Sequence, residues 1–350
     1  MKKIIISMMA VAALAACTKS EVQYEPAGEI SFAPVAKNVT KSVAGYNGET
    51  FDGVFPTNVN LYVFANASND AGTAWDAPYF ANALFKHDAD KGTEATQTHP
   101  TLGDVATTGA YAGDPTRYWP NVKTLKFAGY SDACNVSTLT PTMNADLSAL
   151  TINGYVQDNT KTAEGANDLM WFPCDGQAYT KQAGEIAAQM KHACSWITIN
   201  VAGDDVTAGK WTLNSLVVKT LKHSGNVVCD ATTAEWTLTG EAADEEYYNA
   251  GTTFTEDYKK YEKNANNFIV LPQEPTDLEV NYTYTSDATN NLTLTETKSV
   301  SLDYDAAGTA WQPGVHYIYN VLITASEILI DPVVVDWTDY DGNEIDKTVN

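Results

Sequence analysis

Residues 278–286 read LEVNYTYTS. Leu278, Val280, Tyr282 and Tyr284 fall on one side of an extended chain, and Glu279, Asn281, Thr283 and Thr285 on the other. Side chains of a strand alternate between faces, so this stretch predicts a half-buried antiparallel strand with one face on a core and one in water. NLTLTETKSVSL, reached through a turn at 287–291, reads as its hairpin partner. The same texture recurs at 59–65 (VNLYVFA), 125–130 (LKFAGY), 196–201 (WITINV), 211–218 (WTLNSLVV) and 268–271 (FIVL). These are short β-branched and aromatic runs bounded by Gly, Asn, Asp and Pro. Helical material is scarce: 181–192 is one candidate, and the acidic, tyrosine-rich 244–264 is a second that its glycine and threonines weaken. Either could equally be a loop insertion. The Ala/Gly/Asp/Thr-rich stretch 68–115 is weakly patterned and reads as loops. Closely spaced strands in a 350-residue chain predict an all-β protein of two antiparallel β-sandwiches in tandem, divided near 184–195.

The N-terminus speaks to location. Lys2 and Lys3 precede an apolar run at 4–13, which suits a signal peptide and is too short to span a bilayer. The run ends at Leu14-Ala15-Ala16-Cys17, the pattern of a bacterial lipobox, with cleavage expected between Ala16 and Cys17 and acylation (palmitate and related chains) at Cys17. A lipid-anchored, otherwise soluble protein of the outer membrane and cell surface is the expectation. Removing Lys2 and Lys3 leaves 19 basic against 44 acidic side chains, a formal charge of -25. Nucleic acid and anionic lipid surfaces are therefore poor partners. Cys134, Cys174, Cys194 and Cys229 would enter an oxidising compartment, where four cysteines allow three connectivities; their irregular spacing reads as structural, either paired or simply buried.

Catalysis finds little support. The sequence holds no GxSxG, HExxH or phosphate-binding glycine loop. His87, His99, His192, His223 and His316 are scattered, and His192 with Cys194 is a weak metal pair without further matched spacing. DYDGNE, with Asp339, Asp341, Asn343 and Glu344, begins like a calcium loop but lacks the spaced bidentate glutamate, so a solvated turn is the better reading. The 8 Trp and 19 Tyr could form a sugar-stacking face, although Trp196, Trp211 and Tyr282 fit a core. No enzyme activity, cofactor or metal is expected.

Several separated motifs together resemble the fimbrillin family, the type V pilins of Bacteroidales-type bacteria (FimA- and Mfa-like lipoproteins). After the lipobox come EISFAP, TKSVAG, LYVFA, RYWPNVKTLKFAGYSD and DLMW at 168–171, then MKHACSWITINV, IVLPQ at 269–273 and WQPGVHYIYNVLIT. The resemblance implies two transthyretin-like sandwiches, lipoprotein export, proteolytic removal of an N-terminal segment, and polymerisation by strand exchange. On this reading, residues 1–16 are a signal peptide, 17–41 a lipidated segment with a removable first strand, 42–190 an N-terminal sandwich and 191–350 a C-terminal one. Family members are often cut after arginine, whereas the only arginine, Arg117, lies inside the Tyr-Trp motif; Lys41-Ser42 stands in the expected place, with Lys37 as second choice.

Near the C-terminus, ILIDPVVVDW reads as two short strands, 328–330 and 333–337, around the donorless Pro332. Ile328, Leu329, Ile330, Val333, Val334, Val335 and Trp337 are the candidate strand-exchange residues, filling a groove vacated in the next subunit. The same strands could instead complete the chain's own second sandwich. The functional expectation is an adhesive structural pilin of a surface fimbrium. Its partners would be other pilin subunits, membrane lipid through Cys17, and host or bacterial surface ligands. A fimbrial tip or an uncleaved anchor subunit is an alternative within the family. A lipid-anchored glycan-binding protein, using residues 22–41 as a loose tether, is the alternative from another class.

Overall fold

The computed structural model describes residues 28–336 apart from 37–42, 45–49, 52–54, 56, 69–74, 91–96, 100–102, 106–109, 121–122, 162–165, 175, 177, 181–184, 205–209, 254–258, 262–267, 286–292 and 325–326. Cys17, Ala16, Lys41, Ser42, Trp337, the 287–291 turn and the Asp339–Glu344 loop lie outside the described residues. The protein is all-β: among the described residues the helical content is one 3-10 turn, Val136–Thr138.

Strands are numbered along the chain. Seven of them close a barrel in the order β1 (Ser31–Ala36), β13 (Ile186–His192), β12 (Met170–Phe172), β9 (Leu125–Ser131), β4 (Leu61–Ser68), β5 (Trp75–Asp88) and β8 (Ala110–Gly113). Its ladders are antiparallel except β1 with β13, which is parallel. Two small hairpins accompany it, β2 (Val43–Ala44) with β3 (Thr50–Phe51) and β6 (Gln97–His99) with β7 (Gly103–Val105). The barrel core gathers Phe32, Leu61, Val63, Phe85, Tyr111, Trp119, Phe127, Phe172, Ile186 and Met190.

Apart from those within 224–239, the described strands from Ser195 onward build two facing sheets. One is β14 (Ser195–Gly203), flanked by β19 (Lys259–Tyr261), β20 (Phe268–Val270) and, in parallel, β23 (Val315–Ile323), with β24 (Ile328–Asp336) at its edge. The other runs β18 (Ala243–Thr253), β15 (Trp211–Leu221), β21 (Asp277–Thr285), β22 (Thr293–Ser301). Leu278, Val280 and Tyr282 of β21 are buried, as their alternation predicts, and pack with Trp211, Leu213, Ile199, Tyr317 and Tyr319. β22 pairs β21 residue for residue, from Asp277 opposite Ser301 to Thr285 opposite Thr293.

A fourth sheet spans the two halves: β10 (Thr142–Met143), β11 (Leu150–Val156), β16 (Ser224–Cys229) and β17 (Ala234–Thr239). Here β11 of the first half pairs β16 of the second, and a core of Tyr130, Ile152, Tyr155, Trp171, Cys194, Val227, Ile269 and Leu271 fills the junction. The barrel's last strand, β13, ends at His192, and β14 begins at Ser195.

Three local expectations are corrected. Within the helix candidate at 181–192, residues 186–192 form β13, in which Ile186, Ala188 and Met190 face the barrel core; period-2 burial overrides the helix propensity of Ala, Gln and Lys. The candidate at 244–264 contains β18 and β19 and no helix among its described residues. Register shifts against β15 bury the consecutive Tyr247 and Tyr248, which obscures the strand pattern. The stretch read as loops, 68–115, holds the 14-residue β5 and also β8. Bulges against β4, with Asn82 at φ 51°, break its alternation so that Phe80, Ala83 and Phe85 are buried at uneven spacing.

Gly129 of β9 sits where a Cβ would meet the Phe172 ring at 2.4 Å and the Tyr62 carbonyl oxygen at 2.5 Å. Neither the fixed backbone nor the packed ring can move far. Gly129→Ala should therefore cost about 1–3 kcal/mol, read as a lower urea midpoint at unchanged m-value.

Candidate functional site: the first and last strands

β1 is the barrel's closing strand. Phe32 pairs with Ile186 of β13 on one side and Tyr111 of β8 on the other. Its ring is fully buried, edge-on to Phe85 at 4.9 Å and to Phe127 at 5.2 Å, and tilted against Phe172 at 5.9 Å. Ile30 and Ala33 are each 1 % exposed, so this segment is covered on both faces like a central strand. The residues before it are held by the Tyr-Trp motif: Ile30 N–H donates to the Arg117 carbonyl at 2.8 Å, and Trp119 N–H to the Gly28 carbonyl at 2.9 Å. Trp119 is itself buried, edge-on to Phe127 at 6.0 Å. The motif's chemistry is thus backbone pairing plus an indole wedge beside β1.

The candidate exchange residues lie in β24. Instead of two short strands, 328–336 is one continuous strand, paired in full antiparallel register with β23 from Ile323 opposite Ile328 to Val315 opposite Asp336. Pro332 stands opposite Tyr319 and does not interrupt the ladder, because a proline on an edge strand can turn its donorless nitrogen outward. Ile328 and Ile330 pack against the second core, whereas Leu329 is 46 % and Val334 43 % exposed. Val333 is half-buried. No other described strand pairs with β24's far edge.

The motifs DLMW and MKHACSW meet at the junction. Asp168 Oδ2 lies 2.7 Å from His192 Nδ1, both side chains largely buried, and the Ala193 N–H donates to the Leu169 carbonyl at 2.8 Å. Trp171 Nε1 donates to the Asp230 carbonyl at 3.0 Å, and Trp236 Nε1 to the Ala193 carbonyl at 2.6 Å. His192 and Cys194 point to different partners: the Cys194 thiol lies 3.8 Å from Gln157 Oε1. Among the described residues no three His, Cys, Asp or Glu side chains gather into a metal-binding group. Cys134, Cys194 and Cys229 are free thiols in the junction core, and Cys174 packs against it. Burial pushes the Cys134, Cys194 and Cys229 thiols up and raises Tyr155 beside them, so these thiols stay protonated and inert near neutral pH.

The fold is that of fimbrial proteins. The structure superposes on a fimbrial protein from Bacteroides vulgatus with a TM-score of 0.56 at 16% identity, covering 89% of this chain and 100% of that one. The tip fimbrial protein Mfa3 from Porphyromonas gingivalis also aligns, at TM-score 0.40 and 8% identity, over 89% of this chain and 100% of that one. No curated protein sequence matches. A fimbrillin-like family model matches residues 52–337, and the chain belongs to that family. The family comprises structural and adhesion proteins of the cell surface and is not one of enzymes.

Two outcomes follow from this geometry. Phe32→Ala should cost about 3–5 kcal/mol of barrel stability in the uncut chain, measured by chemical unfolding. Thiol titration of the native protein should leave Cys134, Cys194 and Cys229 unreacted until denaturant is added; rapid native labelling of any of them would contradict the closed junction.

Proposed function

We propose that this chain is a structural pilin subunit, exported as a lipoprotein through Cys17, matured by a cut at Lys41-Ser42, and polymerised by strand exchange to contribute to adhesion. The observation that carries the reading is β1: it lies N-terminal to the candidate cut yet supplies the closing strand of the barrel, with Phe32 in its core. A loose tether, as a lipid-anchored glycan-binding protein would use, has no need of such a strand. After cleavage, β1 would be held by non-covalent contacts alone.

Its departure would leave the β13 and β8 edges with unpaired N–H and C=O groups over an apolar floor of Phe85, Phe127 and Phe172. Each large apolar side chain fully reburied there is worth roughly 1.5–3 kcal/mol, and the open ladder would template an incoming strand. The donor proposed is the segment of β24, Ile328, Leu329, Ile330, Val333, Val334 and Val335, continuing to Trp337. In the single chain this segment holds an edge position, where leaving disrupts one ladder, that with β23. The division into sandwiches at 42–190 and 191–350 belongs to the same proposal, the first half receiving a strand and the second donating one.

Low-dose trypsin on the purified precursor, followed by mass spectrometry of the new terminus and an unboiled SDS gel, tests the reading. A terminus at Ser42 with a ladder of oligomers is the expected result. A cut product that stays monomeric would remove strand exchange, and a chain left uncut near Lys41 would turn the assignment to a stationary anchor subunit.

A further inference from the structure

The two strands involved share a sequence. Residues 29–36 read EISFAPVA and residues 327–334 read EILIDPVV: Glu29, Ile30, Pro34 and Val35 recur as Glu327, Ile328, Pro332 and Val333, and Phe32 and Ala36 are matched by the apolar Ile330 and Val334. The match runs in the same chain direction. In β1, Ile30, Phe32 and Pro34 are buried on one face; their counterparts Ile328, Ile330 and Pro332 are half-buried on one face of β24, between the exposed Leu329 and Asp331.

We propose that the last strand of one copy enters the barrel of the next as a residue-for-residue copy of β1, with Ile328 in the Ile30 position, Ile330 in the Phe32 pocket and Pro332 at Pro34. The inference rests on the strand-exchange reading and adds to it the register and polarity of the donor: parallel to β13 and antiparallel to β8.

Proline is the register pin. β1 pairs with β8 through Ser31 and Phe32, and Pro34 lies past the end of that ladder, opposite Ala188 of β13. A donor slipped by two residues toward β1's N-terminus would put Pro332 at the Phe32 position, between Ile186 and Tyr111, where strands pair on both sides. A slip by one would turn Ile328 and Ile330 out of the core. A slip by two the other way would put Ser326 on the buried Ile30 position, so the copied register fits both the apolar face and the proline best.

One position fits poorly: Asp331 falls on Ala33, which is 1 % exposed. A carboxylate there is partly desolvated without a partner of its own, so the donated strand is held less tightly than β1's sequence would be. This makes the register testable through a gain as well as a loss.

The experiment uses the full chain treated with low-dose trypsin. In the copied register, position 331 lies opposite Ala187 of the neighbouring copy, as Ala33 does in β1; a slip that puts Ile328 in the Phe32 pocket instead brings it opposite Gln189. Asp331→Cys with Ala187→Cys should produce a ladder that survives boiling in SDS and is lost on reduction, and Asp331→Cys with Gln189→Cys should not. Separately, Asp331→Ala should raise the temperature at which uncross-linked oligomers dissociate. Oligomers that cross-link through Gln189, or through neither position, or that Asp331→Ala loosens, would overturn the register while leaving strand exchange standing. If no variant and no parent chain forms oligomers, both fall together.

Discussion

The unmet hydrogen-bonding capacity of a strand's edge is the constraint on which this structure depends. Among the described residues, which are almost all strand or loop, most buried N–H and C=O groups must find their partners on another strand rather than within a helix. The barrel resolves the matter by closure, and β1 is the piece that closes it, seated by Phe32 among Phe85, Phe127 and Phe172. β1 is buried on both faces, so much of the barrel's packing rests on this one strand.

The opposite end of the chain is arranged differently. β24 is an edge strand with exposed Leu329 and Val334 and a proline in its middle, features that allow pairing on one side and discourage indiscriminate growth on the other. With a formal charge of -23 on the whole chain, copies repel each other at distance, so association must rest on short-range ladder bonds and apolar burial.

Between the two ends, the β11–β16 ladder and the core around Tyr155, Trp171, Trp236 and Cys194 weld the halves into one body. Indole N–H groups at Trp171 and Trp236 reach backbone carbonyls across that junction, and the Asp168–His192 contact sits beside them. Protonated, buried thiols fill space there as small apolar groups would.

The sequence by itself determined the strand content and the core face wherever alternation is clean: Leu278, Val280 and Tyr282 are buried, and β22 follows as the hairpin partner. It also marked the Tyr-Trp, DLMW and MKHACSW motifs without revealing that they hold β1 and the junction. Strands interrupted by bulges, β5 and β18, were illegible because an extra residue inverts the alternation on which the reading relies. Tertiary structure alone decided the partners: Phe32 beside Ile186, Leu150 beside Cys229, Trp196 beside His316. Alternation states which face of a strand is buried and nothing about which distant edge it meets. That choice is made by the closure of the whole sheet, through contacts between residues far apart in the chain.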